Sequence, residues 1–417
     1  MNSPLPSLVA RFCVAVSIFV SGFSIPVSAQ DPMPTGPEVV DASTLTGKVM
    51  VGYQGWFNCE GDGANLGWKH WARRRGAPGP NNITVDLWPD ISEFDADELY
   101  ATDFKNSDGT AATIFSSYNR KTVMRHFAWM KDYAIDGAFV QRFANQLGDR
   151  RLHNHVDVVL SHVREGAKQS GRAYAVMYDL SGLRAGEVKR VAEDWKQLQN
   201  ELKITEDTSY LHHEGKPLVS VWGVGFSDNR PYTVRECLEL VQTLKDAGCA
   251  VMLGVPSYWR EGDRDAVNDP VLHETIKLAD VVSPWTIGRY QSPQQAERHA
   301  ERVWRADREW LEKEGVDFLP VAFPGFSWFN LHGGKLDQIP RLKGEFYWSQ
   351  IAAAKSVGCS MLYVAMFDEV DEATAIFKCT NNPPVDQSPQ FITYEGLPSD
   401  HYLKMTGRAS ELFRQGQ

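Results

Sequence analysis

Eight short apolar segments alternate with amphipathic segments from Thr46 onward. The apolar segments are rich in β-branched and aromatic residues, as strands buried on both faces are. Glycines such as Gly171 and Gly315 follow several of the helical patterns, as helix C-caps do. Repeated strand–helix units predict an α/β fold, a (β/α)8 TIM barrel, as a single domain over residues 44–417. The predicted strands begin near Lys48, Ile135, Arg172, Pro217, Cys249, Asp280, Asp317 and Cys359.

The first interval between strand and helix is longer than the others. About sixty residues, 57–120, precede the first clear helix and are rich in Gly, Asn, Asp and Trp. We expect them to form a long first βα loop over the mouth of the barrel. A doubly wound open sheet is the alternative fold, and it is disfavoured because no glycine-rich phosphate loop follows the first strand.

Residues 1–29 have the form of a secretory signal peptide. Arg11 is their only charged residue, an apolar run extends from Phe12 to Phe23, and Ala29 ends a small-x-small cleavage site. We therefore expect a secreted or periplasmic protein, with an uncleaved N-terminal anchor as the alternative. Residues 30–43 are expected to be a flexible arm, and no later segment is apolar enough to span a membrane.

The charge and cysteine pattern excludes several classes of partner and cofactor. The formal net charge is -10, so general binding to nucleic acid or to an anionic membrane is not expected. No Cys-x-x-Cys pair is present, and we expect neither a metal site nor a cofactor. Cys59 and Cys379 lie in predicted loops and could form a disulfide in an exported protein. The sequence does not specify the oligomeric state.

Active sites of (β/α)8 barrels lie at the C-terminal ends of the strands. Here nearly every predicted strand end carries an aromatic residue beside a polar one. This pattern suits a carbohydrate, because aromatic faces stack on the C–H side of a sugar and polar groups bind its hydroxyls. The candidate substrate-binding residues are Trp56, His70, Trp71, Arg142, Tyr178, Asp179, Trp222, Tyr258, Trp285, Trp328, Asp368 and Asp371.

The densest group of ionisable residues follows the eighth predicted strand. Asp368, Glu369, Asp371 and Glu372 place four carboxyl groups within five residues. Crowded like charges raise the pKa of a carboxyl group. Glycoside hydrolysis commonly uses two carboxyl groups, one protonated and one ionised. The motif therefore favours a glycosidase site, and a solvated acidic turn is the alternative.

The residues around this motif resemble a known family. The segment 369–374 resembles the Glu-x-x-Glu-Gly-Thr element of glycoside hydrolase family 99, with Ala373 in place of glycine. The turn 324–326, the second strand 135–140 and the loop 68–71 resemble further elements of that family. The chain is thus similar to the 71/99-like glycoside hydrolases, a bacterial secreted group related to the endo-α-mannosidases of family 99.

This resemblance implies roles for two of the acids. Glu372 corresponds to the general acid/base, and Glu369 corresponds to a residue that contacts the 2-hydroxyl of the sugar and acts as a base. Asp368 stands where the family commonly has Asn, and Asp371 where it has His. The added negative charge leaves Asp368 and Asp371 open as alternative nucleophiles. It is also compatible with a cationic sugar or a metal.

The function expected from the sequence is that of a secreted glycoside hydrolase acting on a polysaccharide or glycan. A catalytically inactive carbohydrate-binding barrel is one alternative. A polysaccharide lyase is another, since Arg142, Arg289 and His332 offer groups that neutralise a uronate. The sugar, the linkage, exo or endo action and the stereochemical outcome are not specified by the sequence.

Overall fold

A computed structural model describes residues 32–384 and 390–415, so the predicted signal peptide lies outside the described residues. Parallel strands pair in chain order, and the last of them pairs with the first. The fold is the predicted (β/α)8 barrel. Its strands are β1 (Val49–Tyr53), β2 (Gly137–Phe143), β3 (Ala173–Asp179), β4 (Lys216–Trp222), β5 (Ala250–Pro256), β6 (Val281–Trp285), β7 (Asp317–Phe318 with Val321–Ala322) and β8 (Leu362–Val364).

Strand β7 is divided into two short pieces, and each piece pairs with a different neighbour. Its first piece pairs with β6 and its second piece pairs with β8. The division falls at Pro320, which has no backbone N–H to donate to a strand. The carbonyl of Pro320 still accepts a hydrogen bond from the N–H of Tyr363 at 3.0 Å. Together the two pieces close the sheet into a barrel.

One helix follows each strand and packs outside it. Side-chain caps start several helices: Asp149 accepts from the backbone N–H groups of Arg151 and Leu152, and Thr233 forms a capping box with Glu236. No helix among the described residues is long and apolar enough to cross a membrane. The helices are α1 (Arg120–Asp132), α2 (Arg150–Ser170), α3 (Lys189–Asn200), α4 (Val234–Asp246), α5 (Pro270–Leu278), α6 (Pro293–His299, a π-helical turn Ala300–Trp304, and Arg305–Glu314), α7 (Glu345–Ser356) and α8 (His401–Arg414).

The long first loop packs against the segment that follows β8. It contains an antiparallel hairpin, Leu99–Lys105 with Ala111–Phe115. The N–H of Asp86 donates to the carbonyl of Val370 at 3.0 Å, and Pro89 pairs with Cys379. The loop is therefore an ordered layer at the C-terminal end of the barrel, next to the acidic motif.

The described part of the expected flexible arm is tied to the barrel. Val40 is buried, and its N–H donates to the carbonyl of Gly171 at 2.8 Å. The guanidinium of Arg172 donates to the carbonyl of Glu38, and Arg414 donates to the carbonyl of Thr35. Residues 32–43 therefore lie against α2 and α8, because their backbone carbonyls satisfy two arginines.

The disulfide that the sequence left open is absent from the structure. Cys59 and Cys379 are both free and buried. The thiol of Cys59 points at the carbonyl of Phe115, 3.1 Å away. Burial raises the pKa of the Cys379 thiol to about 12, so this thiol stays protonated at neutral pH.

Replacement of Gly137 by alanine tests the packing of β2 against β3. A Cβ at this position would lie 2.0 Å from the carbonyl oxygen of Ala173, which is backbone and has no room to move. We expect Gly137→Ala to lower the free energy of unfolding by roughly 3 kcal/mol, measured by urea denaturation. Gly148→Ala is the control, since its Cβ meets only the mobile end of Arg190. Equal stability of the two variants would contradict this packing.

Candidate active site

The acidic motif forms a loop that is fixed by backbone hydrogen bonds. The N–H of Phe367 donates to the carbonyl of Gly52 in β1, and the N–H of Ser327 donates to the carbonyl of Glu372. The guanidinium of Arg341 donates to the carbonyls of Ala373 and Ala375 at 2.8 and 2.7 Å. This buried arginine is thus directed at carbonyl groups of the loop, and none of its hydrogen bonds within the described residues goes to the carboxyl groups of the four acids.

Ala373 adopts a backbone conformation that favours glycine. Its φ is 54°, in the left-handed region where a Cβ is strained. This is the position at which the resembling motif of family 99 has glycine. The alanine therefore keeps the loop geometry at a cost in strain.

Asp368 is the most deeply held of the four acids. Its two carboxyl oxygens accept hydrogen bonds from the backbone N–H groups of Gln54 and Gly55, at 2.8 and 2.9 Å. The side chain is fully buried, and burial raises its pKa to about 7 against the effect of these two donors. Asp368 joins the end of β1 to the end of β8, which leaves it no surface for a substrate.

Glu369 is fixed by one hydrogen bond on each carboxyl oxygen. The side-chain amide of Gln54 donates to Oε1 and the hydroxyl of Thr374 donates to Oε2, both at 2.6 Å. The residue is 4% exposed. Burial raises the pKa of Glu369 well above its usual value, and the neighbouring carboxyls of Glu372 and Asp371 add to the effect. Its orientation is therefore set before any ligand arrives.

Asp371 meets a histidine from the first loop. Nδ1 of His70 lies 3.2 Å from Oδ2 of Asp371. Burial lowers the pKa of His70 to about 3, with a smaller contribution from Lys69, so the imidazole is neutral at pH 7. Burial also raises the pKa of Asp371 to about 7. The other carboxyl oxygen, Oδ1, is buried without a hydrogen-bond partner among the described residues.

Glu372 is the acid that remains partly exposed to solvent. Burial and the charge of Asp371 raise its pKa to about 7, against the opposing effect of a hydrogen bond from Trp328. The side chain lacks the two hydrogen bonds that fix Glu369. Glu372 is thus a partly exposed carboxyl group that carries a proton in part of the protein at neutral pH.

A fifth acid, Asp86, was not found by sequence reasoning. Its carboxylate accepts from the backbone N–H groups of Phe329 and Asn330 at 2.8 and 2.7 Å. These are the first residues of the short helix Phe329–His332, so Asp86 caps that helix from the first loop. The available signal was a single acid inside the apolar run Val-Asp-Leu-Trp at residues 85–88.

Aromatic residues lie beside these acids at the C-terminal end of the barrel, and the region between them is here called the cleft. Trp328 is 39% exposed and contacts His332 edge to face. On another side, Trp222 and Trp285 meet at 5.3 Å between ring centroids, and Trp285 lies 6.2 Å from Tyr363. All of these tryptophans belong to loops or strand ends at the C-terminal face, as predicted.

Two more of the predicted residues, Trp56 and Asp179, are held in place by neighbouring side chains and backbone. Trp56 stacks on His70 with 3.9 Å between centroids, and also on Phe143 at 5.2 Å. Asp179 ends β3, and one of its oxygens accepts from the N–H of Ser181. Burial raises the pKa of Asp179. Asp179 is paired in register with Trp222 of β4, so it lies at the same end of the barrel as the tryptophans.

Three predicted substrate-binding residues are buried away from the cleft. Trp71 is fully buried against Phe57 and Phe115, and its indole N–H donates to the carbonyl of Phe115. Tyr178 is fully buried, and its hydroxyl donates to Asp194.

Arg142 is the third of these residues. Its guanidinium is bidentate to Asp194, at 2.7 and 2.6 Å, and also bonds Asp157. An arginine paired in this way has no charge left for a ligand. Burial removes all three side chains from the substrate-binding set, because none offers surface to a sugar.

The same ion pair accounts for a cluster with metal-ligand spacing. Ligand atoms of His153, Asp157 and Asp194 lie within 4.8 Å of one another. However, one Nη atom of Arg142 bonds both carboxylates. The guanidinium therefore supplies the positive charge that this group needs.

Comparisons with known proteins place the fold. No protein-family model matches the chain. Over 116 residues the chain is 28% identical to a glycoprotein endo-α-1,2-mannosidase-like protein of Danio rerio, a match that covers 26% of this chain and 25% of that protein. The chain therefore matches about a quarter of that relative's length.

Solved structures give the broader match. The chain is similar to the family 99 endo-α-mannosidase of Bacteroides thetaiotaomicron, with a TM-score of 0.65 and 15% identity over 89% of this chain and 99% of that chain. A second structure, in complex with bis-tris-propane, gives a TM-score of 0.63 over the same shares. The protein has the fold of family 99. The resemblance seen in the sequence is confirmed.

Within this family 99 fold, the acids offer one reactive arrangement. Glu372 is accessible and able to give up a proton, whereas Glu369 lies beside it with a fixed orientation. Two neighbouring carboxyl groups that titrate together hold one proton between them over a range of pH. Such a pair can protonate one atom of a ligand while a second carboxylate accepts from another.

Replacement of Asp371 tests how far burial raises the pKa of this acid in the cluster Asp368, Glu369, Asp371 and Glu372. Because burial raises the pKa of Asp371 from 3.8 to about 7, the folded protein holds this proton more tightly than the unfolded chain. The resulting stabilisation is complete below about pH 4 and is lost as the pH rises through 7. We expect Asp371→Asn to stabilise the protein more at pH 8 than at pH 5, by up to about 3 kcal/mol.

Chemical denaturation at both pH values measures this difference. The exposed Asp132 gives the control variant Asp132→Asn, which should change stability equally at pH 5 and pH 8. A gain from Asp371→Asn that is larger at pH 5 would contradict the raised pKa.

Proposed function

We propose that the protein is a glycoside hydrolase that cleaves glycosidic bonds in a polysaccharide or glycan by carboxylate acid/base catalysis. One observation carries the proposal: an accessible carboxyl group, Glu372, lies beside Glu369, whose two oxygens are both held by donors. The fold and the aromatic cleft support the same conclusion. The predicted signal peptide makes the protein a secreted or periplasmic one.

Glu372 acts as the general acid/base in this proposal. With a pKa raised to about 7, it carries a proton in much of the protein at neutral pH. It donates that proton to the glycosidic oxygen as the bond to the anomeric carbon breaks, so the leaving sugar departs as an alcohol. A water molecule then attacks the anomeric carbon and gives its proton to the Glu372 carboxylate, which restores the starting state.

Glu369 acts as the partner base. Hydrogen bonds from Gln54 and Thr374 both favour its ionised form, whereas Glu372 receives only the bond from Trp328. These donors stabilise and orient the Glu369 carboxylate once the pair has given up a proton, while the partly exposed Glu372 is the group that meets the glycosidic oxygen. Burial makes the Glu369 carboxylate a stronger base than an exposed one. The family resemblance assigns its target, the 2-hydroxyl of the bound sugar. Glu369 takes the proton of this hydroxyl as its oxygen bonds to the anomeric carbon and the leaving group departs, and it returns the proton to that oxygen when water attacks the anomeric carbon and breaks the new bond.

The tryptophans of the cleft supply the sugar-binding surface. Trp328 offers its exposed face beside Glu372, and Trp222 and Trp285 provide a second apolar wall. The Danio rerio relative is an endo-α-1,2-mannosidase-like protein, and the Bacteroides structure is that of an endo-α-mannosidase. α-Mannosides are therefore the first substrates to test.

A polysaccharide lyase fits the geometry less well. That reaction needs a cation at the substrate carboxylate beside the cleaved bond, and two of the three candidates lie away from the acids. Arg142 is buried in its ion pair with Asp194, and Arg289 lies in a separate pocket beside Asp265. Of the three, only His332 lies beside the cleft, against Trp328. The acidic floor of the cleft would also repel a uronate.

Glycan digestion with Glu372→Gln tests the proposed function. The mature protein, this variant and a control, Glu345→Gln at the exposed start of α7, are incubated with a glycan panel and the products are identified by mass spectrometry. We expect products from the wild type and the control, and a loss of about 10²- to 10⁴-fold in rate for Glu372→Gln. Equal products from all three would remove Glu372 from the mechanism.

Products from none of the three, with glycan binding retained, would support the inactive carbohydrate-binding barrel instead. A substrate with a strongly acidic leaving group gives a second readout, because it departs without protonation. The loss caused by Glu372→Gln should shrink on that substrate by at least tenfold, whereas damage to the fold would lower both rates alike.

The pH dependence gives an independent check of the acid. The rate should fall as the pH rises above about 7, since Glu372 then loses the proton it donates. Initial rates from pH 5 to pH 9 measure this limb. A rate that keeps rising through pH 9 would contradict the assignment.

A further inference from the structure

A second pocket lies outside the acidic cleft and carries the opposite charge. It has a volume of about 390 Å³ and lies between the loops after β5 and β6 and the first turns of α6. Four arginines line it in a chain whose formal net charge is -10. The arginines are Arg264, Arg289, Arg298 and Arg302, and the pocket that they line is called the basic pocket. The predicted substrate residue Tyr258 lines this pocket, so the structure separates it from the acid cluster.

Asp265 builds one side of the basic pocket. One carboxyl oxygen accepts from Nε of Arg289 at 2.6 Å and from the N–H of Ser257 at 3.0 Å, and the other accepts from the N–H of Tyr258. This carboxylate fixes the loop and the arginine together. It uses only Nε, and no hydrogen bond within residues 32–384 and 390–415 uses the two Nη groups of Arg289. Arg289 is therefore held in one orientation through Nε, and its two Nη groups are available to a ligand.

Arg298 and Arg302 extend this positive charge along α6. They are four residues apart, and neither forms an ion pair within the described part of the chain. Elsewhere on the same helix Arg305 is paired with Glu301, and Arg308 with Glu312. Like charges four residues apart destabilise a helix. Arg302 also belongs to the π-helical turn, a feature frequent at functional sites.

Two of the four arginines are partly compensated, Arg289 by Asp265 and Arg264 by Asp263 at 3.8 Å, so the net positive charge of the pocket comes from Arg298 and Arg302. Arg264 lies over the ring of Tyr258, with 3.9 Å from its central carbon to the ring centroid, which holds the guanidinium flat. Glu261 is the acid in the lining, and it is already paired with Arg260. The pocket is thus a concave group of guanidinium donors suited to bidentate binding of an oxyanion.

The basic pocket belongs to the same end of the barrel as the acidic cleft. Arg289 follows Trp285 by four residues, so their Cα atoms lie within about 14 Å of each other. Trp285 itself contacts Trp222 and Tyr363 at the cleft. A ligand several sugars long therefore reaches from one site to the other.

We propose that the basic pocket binds a negatively charged group, a sulfate, phosphate ester or carboxylate, carried by the glycan whose neighbouring sugars occupy the acidic cleft. This inference rests on the proposed function. The buried acids repel an anion at the cleavage point, and the arginines attract one a short distance away. The two sites together select a glycan with its charge outside the bond that is cleaved.

Anion binding by the full chain is the first test. Inorganic sulfate, inorganic phosphate and acetate are titrated separately into the wild type and into Arg298→Gln/Arg302→Gln by calorimetry. The control Arg150→Gln/Arg151→Gln also removes two positive charges, from the exposed start of α2. We expect at least one anion to bind the wild type and the control, and to bind the basic-pocket variant at least tenfold more weakly. Circular dichroism confirms that the variants fold.

Matched oligosaccharides provide the second test and identify the anion. Neutral, sulfated, phosphorylated and uronate-containing forms of one cleaved glycan are compared by kcat/KM. For one anionic form, the ratio to the neutral form should fall at least tenfold in Arg298→Gln/Arg302→Gln and stay unchanged in the control. Equal ratios in the wild type and the variant, with anion binding also equal, would overturn the inference.

The two proposals fail in different ways. Hydrolysis that depends on Glu372 but ignores charge at the basic pocket overturns this inference alone. Binding of an anionic oligosaccharide that depends on Arg298 and Arg302, in a protein that cleaves no glycan, overturns the proposed function and keeps the basic pocket as a recognition site.

Discussion

The structure depends on how four carboxyl groups are kept in a buried loop with no arginine or lysine bonded to them in the described residues. Asp368 and Glu369 are compensated by neutral donors: backbone N–H groups, an amide and a hydroxyl. Asp371 is compensated by a neutral imidazole. Neutral donors lower the cost of a buried charge without cancelling it. Each acid therefore keeps a raised pKa, and the group can exchange protons near neutral pH.

The surrounding fold is arranged to supply those donors. The end of β1 provides the N–H groups and the amide, the first loop provides His70, and a carbonyl of the acidic loop accepts from Ser327 after β7. The buried arginine that could neutralise the loop, Arg341, instead lies between the rings of Tyr394 and Tyr402 and bonds carbonyls. The backbone carbonyls of the loop thus bind the arginine that orders it, whereas its carboxyl side chains supply its negative charge.

The barrel fold and the acidic motif could both be predicted from the sequence, because each depends on residues that are close together along the chain. Strands covered on both faces are continuous apolar runs, and the four acids are contiguous, so neither needs long-range information. The roles of single aromatic residues needed the structure. Trp71 and Trp328 have the same chemistry, yet one is fully buried and the other is 39% exposed. Periodicity does not separate a core tryptophan from one that lines a cleft.

Long-range partners were also beyond the sequence pattern. Asp86 is far from the acidic motif along the chain, and only the path of the first loop brings it to Asn330. Arg142 stood at a strand end like a ligand-binding residue, but helix α3 places Asp194 against it. The described arm is held by arginines whose carbonyl partners have no sequence signature. In each case the deciding partner came from another element.

The bonds from Asp368 to Gln54 and Gly55 join the first strand of the barrel to the last. The acids belong to residues 368–372, whereas Gln54, Gly55 and His70, which bond three of them, come from the first strand end and the first loop. During synthesis the early half of this arrangement leaves the ribosome long before the late half. The site therefore comes into existence only after β8 has been made and the barrel has closed, so a chain that stops before β8 carries no assembled acid pair.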